Sequence, residues 1–274
     1  MAWVLSGFGD EIDPDPTVQV AVLQALGARY IEVRSAWGIN VLELGPDRLA
    51  ELKAVFDARG MGVSAIASPI GKVSVELPVR HELDRLDAAI EAARVLGTRY
   101  IRVFSFYYGG DAAAVRDAVV ERMRALTSRA EDAGVVLLHE NEKDIFGDVP
   151  ARIVDLLESV GSPALRVAWD AANFVQVGVR PFAEAYAPLR PYLEYVQVKD
   201  ALSADASVVP AGEGDGELAE TVRALRDSGY SGFASLEPHL ADAFATGGFS
   251  GPAAFGVAGR AFAKVLAGAG VETN

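Results

Sequence analysis

The feature that most constrains this chain is an alternation, repeated eight times, of a short apolar segment and a longer segment with helical spacing. The strand candidates are Trp3–Phe8, Tyr30–Arg34, Val63–Ala67, Tyr100–Phe104, Val135–Glu140, Leu165–Asp170, Leu193–Lys199 and Gly232–Glu237. Several carry the β-branched and aromatic residues that fit a pleated, buried surface. Helical patterns run over Val18–Leu26, Arg48–Ala58, His81–Leu96 and Ala112–Ala133, and stop at Gly27, Gly60, Gly97 and Gly134. Asp148 followed by Pro150 reads as a cap ahead of Ile153–Val160, which stops at Gly161. Further helices fit Pro181–Leu189, Glu217–Asp227 and Pro252–Leu266.

Eight strand–helix units in 274 residues, with no linker or low-complexity stretch, predict an α/β chain folded as a single (β/α)₈ TIM barrel over residues 1–274. The alternative is an open doubly wound sheet. That fold would carry a Gly-rich phosphate loop after its first strand, and Gly7-Phe8-Gly9-Asp10 is too short to be one.

Composition narrows the function. Without cysteine there is no disulfide framework and no thiolate metal site, which fits a reducing, cytoplasmic setting. Met1-Ala2-Trp3-Val4-Leu5 lacks the basic and apolar regions of a signal peptide. Charges interrupt the apolar runs well before the ~20 residues of a membrane helix. A formal charge of −13 repels phosphate backbones, so neither nucleic acid nor a membrane is the expected partner.

In a (β/α)₈ barrel the site lies at the C-terminal ends of the strands, the mouth. Those ends carry Glu32 and Arg34, Arg102, Glu140 and Glu142, Asp170, Gln197 and Lys199, and Glu237 and His239. Period two turns Ile31, Val33, Ile101, Val103, Val196 and Val198 toward the helices. Glu32, Arg34, Arg102, Gln197 and Lys199 then point into the barrel, where charges are costly unless they pair or bind something. One reading is a buried ion-pair network without a ligand. The other is a site, because Glu140, Asp170 and Glu237 plus the amide oxygen of Gln197 come from four successive strands. Such hard oxygen donors suit Mg²⁺ or Mn²⁺, with Zn²⁺ or Co²⁺ as further options.

At these residues the chain resembles the xylose isomerase-like superfamily of sugar phosphate isomerases and epimerases. Leu138-His139-Glu140-Asn141, Trp169-Asp170-Ala171-Ala172-Asn173, Val196-Gln197-Val198-Lys199-Asp200, Pro210-Ala211-Gly212-Glu213-Gly214-Asp215-Gly216 and Leu236-Glu237-Pro238 carry the resemblance. It implies one divalent metal held by Glu140, Asp170, Gln197 and Glu237. The family usually has His where Gln197 stands, a departure similar to the hydroxypyruvate isomerase branch. Asn173 replaces a frequent His. With only His81, His139 and His239 present, and His139 alternating away from the barrel axis, a histidine-rich trinuclear zinc site is not expected.

The resemblance implies a small-carbohydrate isomerase or epimerase in which Glu140 and Glu237 move protons next to a carbonyl. It is compatible with a homodimer or homotetramer. Arg34 and Arg102 would bind an acidic group or neutralise Glu32, and Lys199 would hold a substrate oxygen or pair with Glu237. Glu32, Asn173 and His239 complete the expected substrate contacts. Three rivals remain: an inosose-type dehydratase on the same scaffold, a nuclease, which would need a basic groove and more histidines, and a non-catalytic sugar-binding barrel.

Overall fold

The computed structural model describes residues 2–240 and 250–273. Eight strands form one sheet: β1 (Val4–Gly7), β2 (Tyr30–Val33), β3 (Gly62–Ala67), β4 (Tyr100–Val103), β5 (Val136–Glu140), β6 (Leu165–Asp170), β7 (Leu193–Val198) and β8 (Phe233–Leu236). Every pairing is parallel and joins chain neighbours, except that β8 pairs with β1. A bridge between Phe8 and Glu32 joins the β1 and β2 edges and closes the ring. The result is the TIM barrel that the alternation predicts.

Parallel neighbours need long crossovers, and helices supply them. They are α1 (Pro16–Ala25), α2 (Gly45–Asp57), α3 (Val79–Leu96), α4 (Ala112–Ala133), α5 (Pro150–Val160), α6 (Ala171–Gln176), α7 (Leu218–Asp227) and α8 (Gly251–Gly268). A wide π-type stretch, Pro181–Tyr186, runs on into Ala187–Leu189 before β7. The five expected glycine stops, Gly27, Gly60, Gly97, Gly134 and Gly161, all have φ between 61° and 87°. Asp148 does not cap α5: the N-cap is Val149, and Asp148 pairs instead with Arg152 one helical turn on. The short helix α6 is an addition to the sequence reading, as are two small hairpins, Ser35–Ala36 with Ile39–Asn40 and Asp200–Ala201 with Val208–Val209.

Strand alternation sorts the core into two compartments. Ile31, Val33, Ile101, Val103, Val196 and Val198 are buried in one large cluster with helix residues such as Leu52, Leu86 and Met123. Inside the barrel, Ala65, Tyr100, Leu138, Ala168 and Tyr195 form a separate cluster, against which Val136 and Phe233 pack. Its rings meet largely edge-on: Tyr100 is 6.2 Å from Tyr195 and 6.3 Å from Phe233, which in turn is 5.0 Å from Tyr30. Tyr30, Tyr100 and Phe233 open their strands, so this aromatic plug is the floor of the barrel.

Two glycines shape the mouth. Gly71 sits at φ +84°, and a Cβ there would lie 2.1 Å from the Phe104 carbonyl oxygen, so only glycine lets this loop pass β4 so closely. Beyond β7, the Asp200 carboxylate accepts hydrogen bonds from the backbone N–H groups of Gly212, Gly214 and Gly216 at 2.8, 3.1 and 2.8 Å. A Cβ on Gly214 would meet that carboxylate at 2.5 Å. The glycine-rich run therefore exists to wrap Asp200 and fix the segment that follows Lys199.

Candidate active site

The period-two rule that turns Leu138 inward also turns in Glu140, two residues later and one level nearer the mouth. The same step places Asp170 at the end of β6 and Glu237 just beyond β8. One oxygen of each of these three buried carboxylates lies within 4.8 Å of the other two. Like charges that close repel by ~3–4 kcal/mol per pair at an effective dielectric of about 20, so the cluster requires positive charge.

Arg102 and Lys199 provide part of it. Arg102 Nη1 is 3.0 Å from Glu140 Oε2 and 3.6 Å from Glu237 Oε1. Lys199 Nζ is 2.9 Å from Asp170 Oδ2 and 3.4 Å from Glu237 Oε2. Glu237 Oε1 also faces Arg34 Nη1 at 3.1 Å and His239 Nε2 at 3.3 Å. Arg34 is further held by Asp10 and Glu11, at 2.8 and 2.9 Å, and His239 Nδ1 by Glu11 at 3.0 Å.

This asymmetry sets the protonation of the carboxyls. Burial alone would raise Glu237, but Lys199, His239 and Arg102 outweigh it and hold Glu237 well below the usual range. Burial dominates at Glu140, which is pushed up to about 8 against the pull of Arg102, and at Asp170, raised to about 6 against Lys199. Burial opposes the charge of His239 too, yet Glu237 and Glu11 raise it to about 9. His139 faces the other way. It lies in a dry layer beside the Ser105 hydroxyl at 2.9 Å, and burial lowers it to about 4, so it is neutral.

The remaining polar atoms are informative. Asn173 Nδ2 donates to Glu140 Oε1 at 3.1 Å and to the Asn141 carbonyl at 2.8 Å, which ties down one Glu140 oxygen. Asp170 Oδ1 caps α6 by accepting from the Asn173 N–H at 2.9 Å. The other oxygens, Glu140 Oε2 and Asp170 Oδ2, accept no hydrogen bond and meet only the cations above. Gln197 is fully buried: its Nε2 donates to Glu32 Oε1 at 3.2 Å, and its Oε1 has no hydrogen-bond partner. A buried amide oxygen without a donor costs about 1–3 kcal/mol, and a cation would satisfy it. The three converging carboxylates fit a hard divalent ion, and the amide oxygen of Gln197, the register partner of Asp170, is a further candidate donor.

Above the triad opens a cavity of about 210 Å³ whose wall includes Arg34, Lys72, Arg102, Glu140, Lys199, Glu237 and His239. Of the residues expected to contact substrate, Arg34, Arg102, Lys199 and His239 line it. Glu32 does not: it is fully buried beneath, bonded to Tyr195 and Gln197. Asn173 lies behind Glu140 rather than on the wall. Arg34 pairs with Asp10, Glu11 and Glu237, not with Glu32, so the buried Asp10 and Glu11 are tied to the carboxylate cluster through Arg34. Lys72 on the wall, 3.0 Å from Glu142 and over the Phe104 ring, escaped sequence reasoning because its loop has no periodicity. A hollow of about 430 Å³ beside Val175, Ser203 and Glu217 is larger, but among the described residues no buried carboxylate cluster opens into it.

Comparisons with known proteins show the family and the fold. The family model described as xylose isomerase-like TIM barrel matches residues 20–252. The chain is 32% identical over 226 residues to 2-epi-5-epi-valiolone 7-phosphate 2-epimerase from Actinoplanes sp. (strain ATCC 31044 / CBS 674.73 / SE50/110), covering 78% of this chain and 79% of that protein. Among solved structures it is similar in fold to the probable 3-DHS dehydratase AsbF of Bacillus anthracis, with a TM-score of 0.76 at 19% identity, covering 96% of this chain and 99% of that one. It is similar also to the IOLI protein with a bound zinc atom, with a TM-score of 0.79 at 16% identity, covering 97% and 98%. The chain belongs to the xylose isomerase-like TIM-barrel family.

Proposed function

We propose that this chain is a divalent-metal-dependent epimerase or isomerase of a small sugar, ketose or hydroxy-keto acid, working by proton transfer next to a carbonyl. The observation that carries the reading is the convergence of the buried carboxylates of Glu140, Asp170 and Glu237, two of which, Glu140 and Glu237, line a small cavity. Those three residues and Gln197 would hold the ion, and a bound ion there would stabilise the negative charge of an enediolate. Mg²⁺ or Mn²⁺ suits the all-oxygen donor set.

The chain's own groups supply the rest. Glu140 and Glu237 come from β5 and the end of β8, three strands apart in the ring, and would reach a substrate in the cavity from different strands. Acting on one carbon from opposite faces they would epimerise it; one of them moving a proton between adjacent carbons would isomerise. Asn173 fixes the orientation of Glu140, and His239 with Arg34 fixes that of Glu237. Arg102 and Lys199, now spread over the triad, have N–H donors to give to substrate oxygens once the carboxylates have another partner. The cavity of about 210 Å³ favours a compact substrate. The relative's activity on 2-epi-5-epi-valiolone 7-phosphate supports a polyhydroxylated ketone and epimerisation.

The test is solvent deuterium uptake across ketohexoses, hydroxypyruvate, inosose and 2-epi-5-epi-valiolone 7-phosphate, before and after metal removal. We expect deuterium in at least one recovered substrate or product, with the hydroxyls intact and restored by Mn²⁺ or Mg²⁺. Loss of water from the substrate would move the chain to the dehydratase reading. Neither exchange nor metal binding would leave a sugar-binding barrel with an internal ion-pair network.

A further inference from the structure

We propose that Glu32, the buried acid beneath the cavity, is a positioning residue that dictates which atom of residue 197 faces the carboxylate triad. The inference rests on the metal site proposed above and concerns a residue that touches neither cavity nor triad. Glu32 Oε2 accepts from the Tyr195 hydroxyl at 2.8 Å, and Glu32 Oε1 accepts from Gln197 Nε2 at 3.2 Å. Tyr195 Oη is also 2.9 Å from Ser64 Oγ, which is 2.7 Å from Ser6 Oγ. Both Glu32 oxygens are placed as acceptors, and a phenol has a single proton to give. Tyr195 must therefore donate to Glu32, Ser64 to Tyr195, and Ser6 to Ser64. Every proton of this buried chain runs toward Glu32.

The same rule acts from the other side. Gln197 gives Glu32 its NH₂ end, so its carbonyl end turns away from Glu32. Gln197 pairs in register with Asp170 on one side and with Ser235, two residues before Glu237, on the other, so its backbone lies level with Asp170. Turned the other way, the amide would present two N–H donors to a cation and a lone pair to a carboxylate, both repulsive. Glu32 thus selects a residue at 197 that donates downward and accepts upward. A glutamate at 197 meets the ion's demand but not that of Glu32, because two carboxylates would then stand face to face.

This makes an unusual prediction for a hard cation, which on charge alone binds a carboxylate better than an amide. Mn²⁺ affinity of the full chain is read by the loss of the free-ion electron paramagnetic resonance signal in the parent, Glu32→Gln, Gln197→Glu and the double variant. We expect Gln197→Glu alone to bind Mn²⁺ no more tightly than the parent. Combined with Glu32→Gln, which restores a donor–acceptor pair with its polarity exchanged, it should bind at least about tenfold more tightly than Gln197→Glu alone, within the 10–100-fold range of residues that orient ligands. If Gln197→Glu does not fold alone, the same coupling appears as recovery of the melting temperature on adding Glu32→Gln, and its absence overturns the inference. Equal effects of Gln197→Glu in both backgrounds also overturn it while leaving the metal reading intact. A parent that binds no Mn²⁺ removes both.

Discussion

The interior of this barrel has two levels of opposite character built from the same strands. At the floor, Tyr100 meets Tyr195 and Phe233 ring edge against ring face, with Leu138 packed beside them. At the mouth, Glu140, Asp170, Glu237, Arg102 and Lys199 are all 5% exposed or less. The steps between the levels are short: Leu138 and Glu140 are two residues apart, as are Tyr195 and Gln197, about 6.6 Å along a strand. The contrast separates two tasks. Burying a large apolar side chain stabilises by ~1.5–3 kcal/mol, so the floor and the helix layer hold the fold. The mouth carries buried charges, each costing several kcal/mol unless paired, and tolerates them because the structure beneath does not depend on them.

The largest expected effect lies at the mouth. Glu140→Gln and Glu237→Gln keep size and one donor oxygen but remove a base, so each should lower turnover by ~10²–10⁴-fold with an unchanged far-ultraviolet spectrum. For an epimerase, each variant should still exchange a substrate proton from one direction only. Turnover within about threefold of the parent would make that glutamate a ligand alone.

The floor should answer in the opposite currency. Leu138→Ala opens a cavity inside the barrel at a residue 1% exposed, and should cost ~2–5 kcal/mol of stability. Mn²⁺ affinity should stay within about threefold of the parent, because no contact of the triad is touched. A large loss of metal affinity with little loss of stability would show that the two levels are not separate. Third in size is the ion itself: at a concentration 100 times its Kd, Mn²⁺ should stabilise the chain by ~2.7 kcal/mol, reversibly with a chelator. A melting temperature indifferent to Mn²⁺ would count against the site.

How much of this was legible in the sequence follows the same division. Facing is a period-two property, so the inward turn of Glu140, Asp170, Gln197 and Glu237 and the outward turn of His139 could be read directly. Depth is not, because it depends on how each strand is staggered against its neighbours. The pairing of β2 with β3 shifts between Ile31 and Glu32, and Glu32 ends up below the cavity rather than on its wall. Partnership across the ring is harder still: Arg34 finds Asp10 and Glu11 through closure of the barrel, more than 20 residues away, where strand-end logic suggested Glu32. Lys72 and α6 lie in connections whose pattern has no period to read.

The smallest effect tests whether dryness, rather than ion pairing as such, gives the mouth its character. On the outer helices Arg116 of α4 grips Asp155 of α5 with two hydrogen bonds of 2.7 and 2.6 Å, as good a geometry as any at the mouth. Yet the two side chains are 39% and 36% exposed, against 5% and 2% for Arg102 and Glu140. Water screens the outer pair, and Asp155→Asn should lower the melting temperature by less than about 2 °C. The hydrogen bond from Arg116 holds Asp155 below its usual 3.8, so its small contribution is present above that pH and vanishes as pH falls through the lower, folded-state value. The gap between parent and Asp155→Asn should therefore close in acid. It should also close in 1 M salt, where the screening length is about 3 Å. Salt should leave the effect of Glu140→Gln on stability unchanged, since little solvent reaches that carboxylate. If Asp155→Asn instead destabilises as much as Leu138→Ala, geometry outweighs solvent exposure and the division between a dry mouth and a wet outer ring fails.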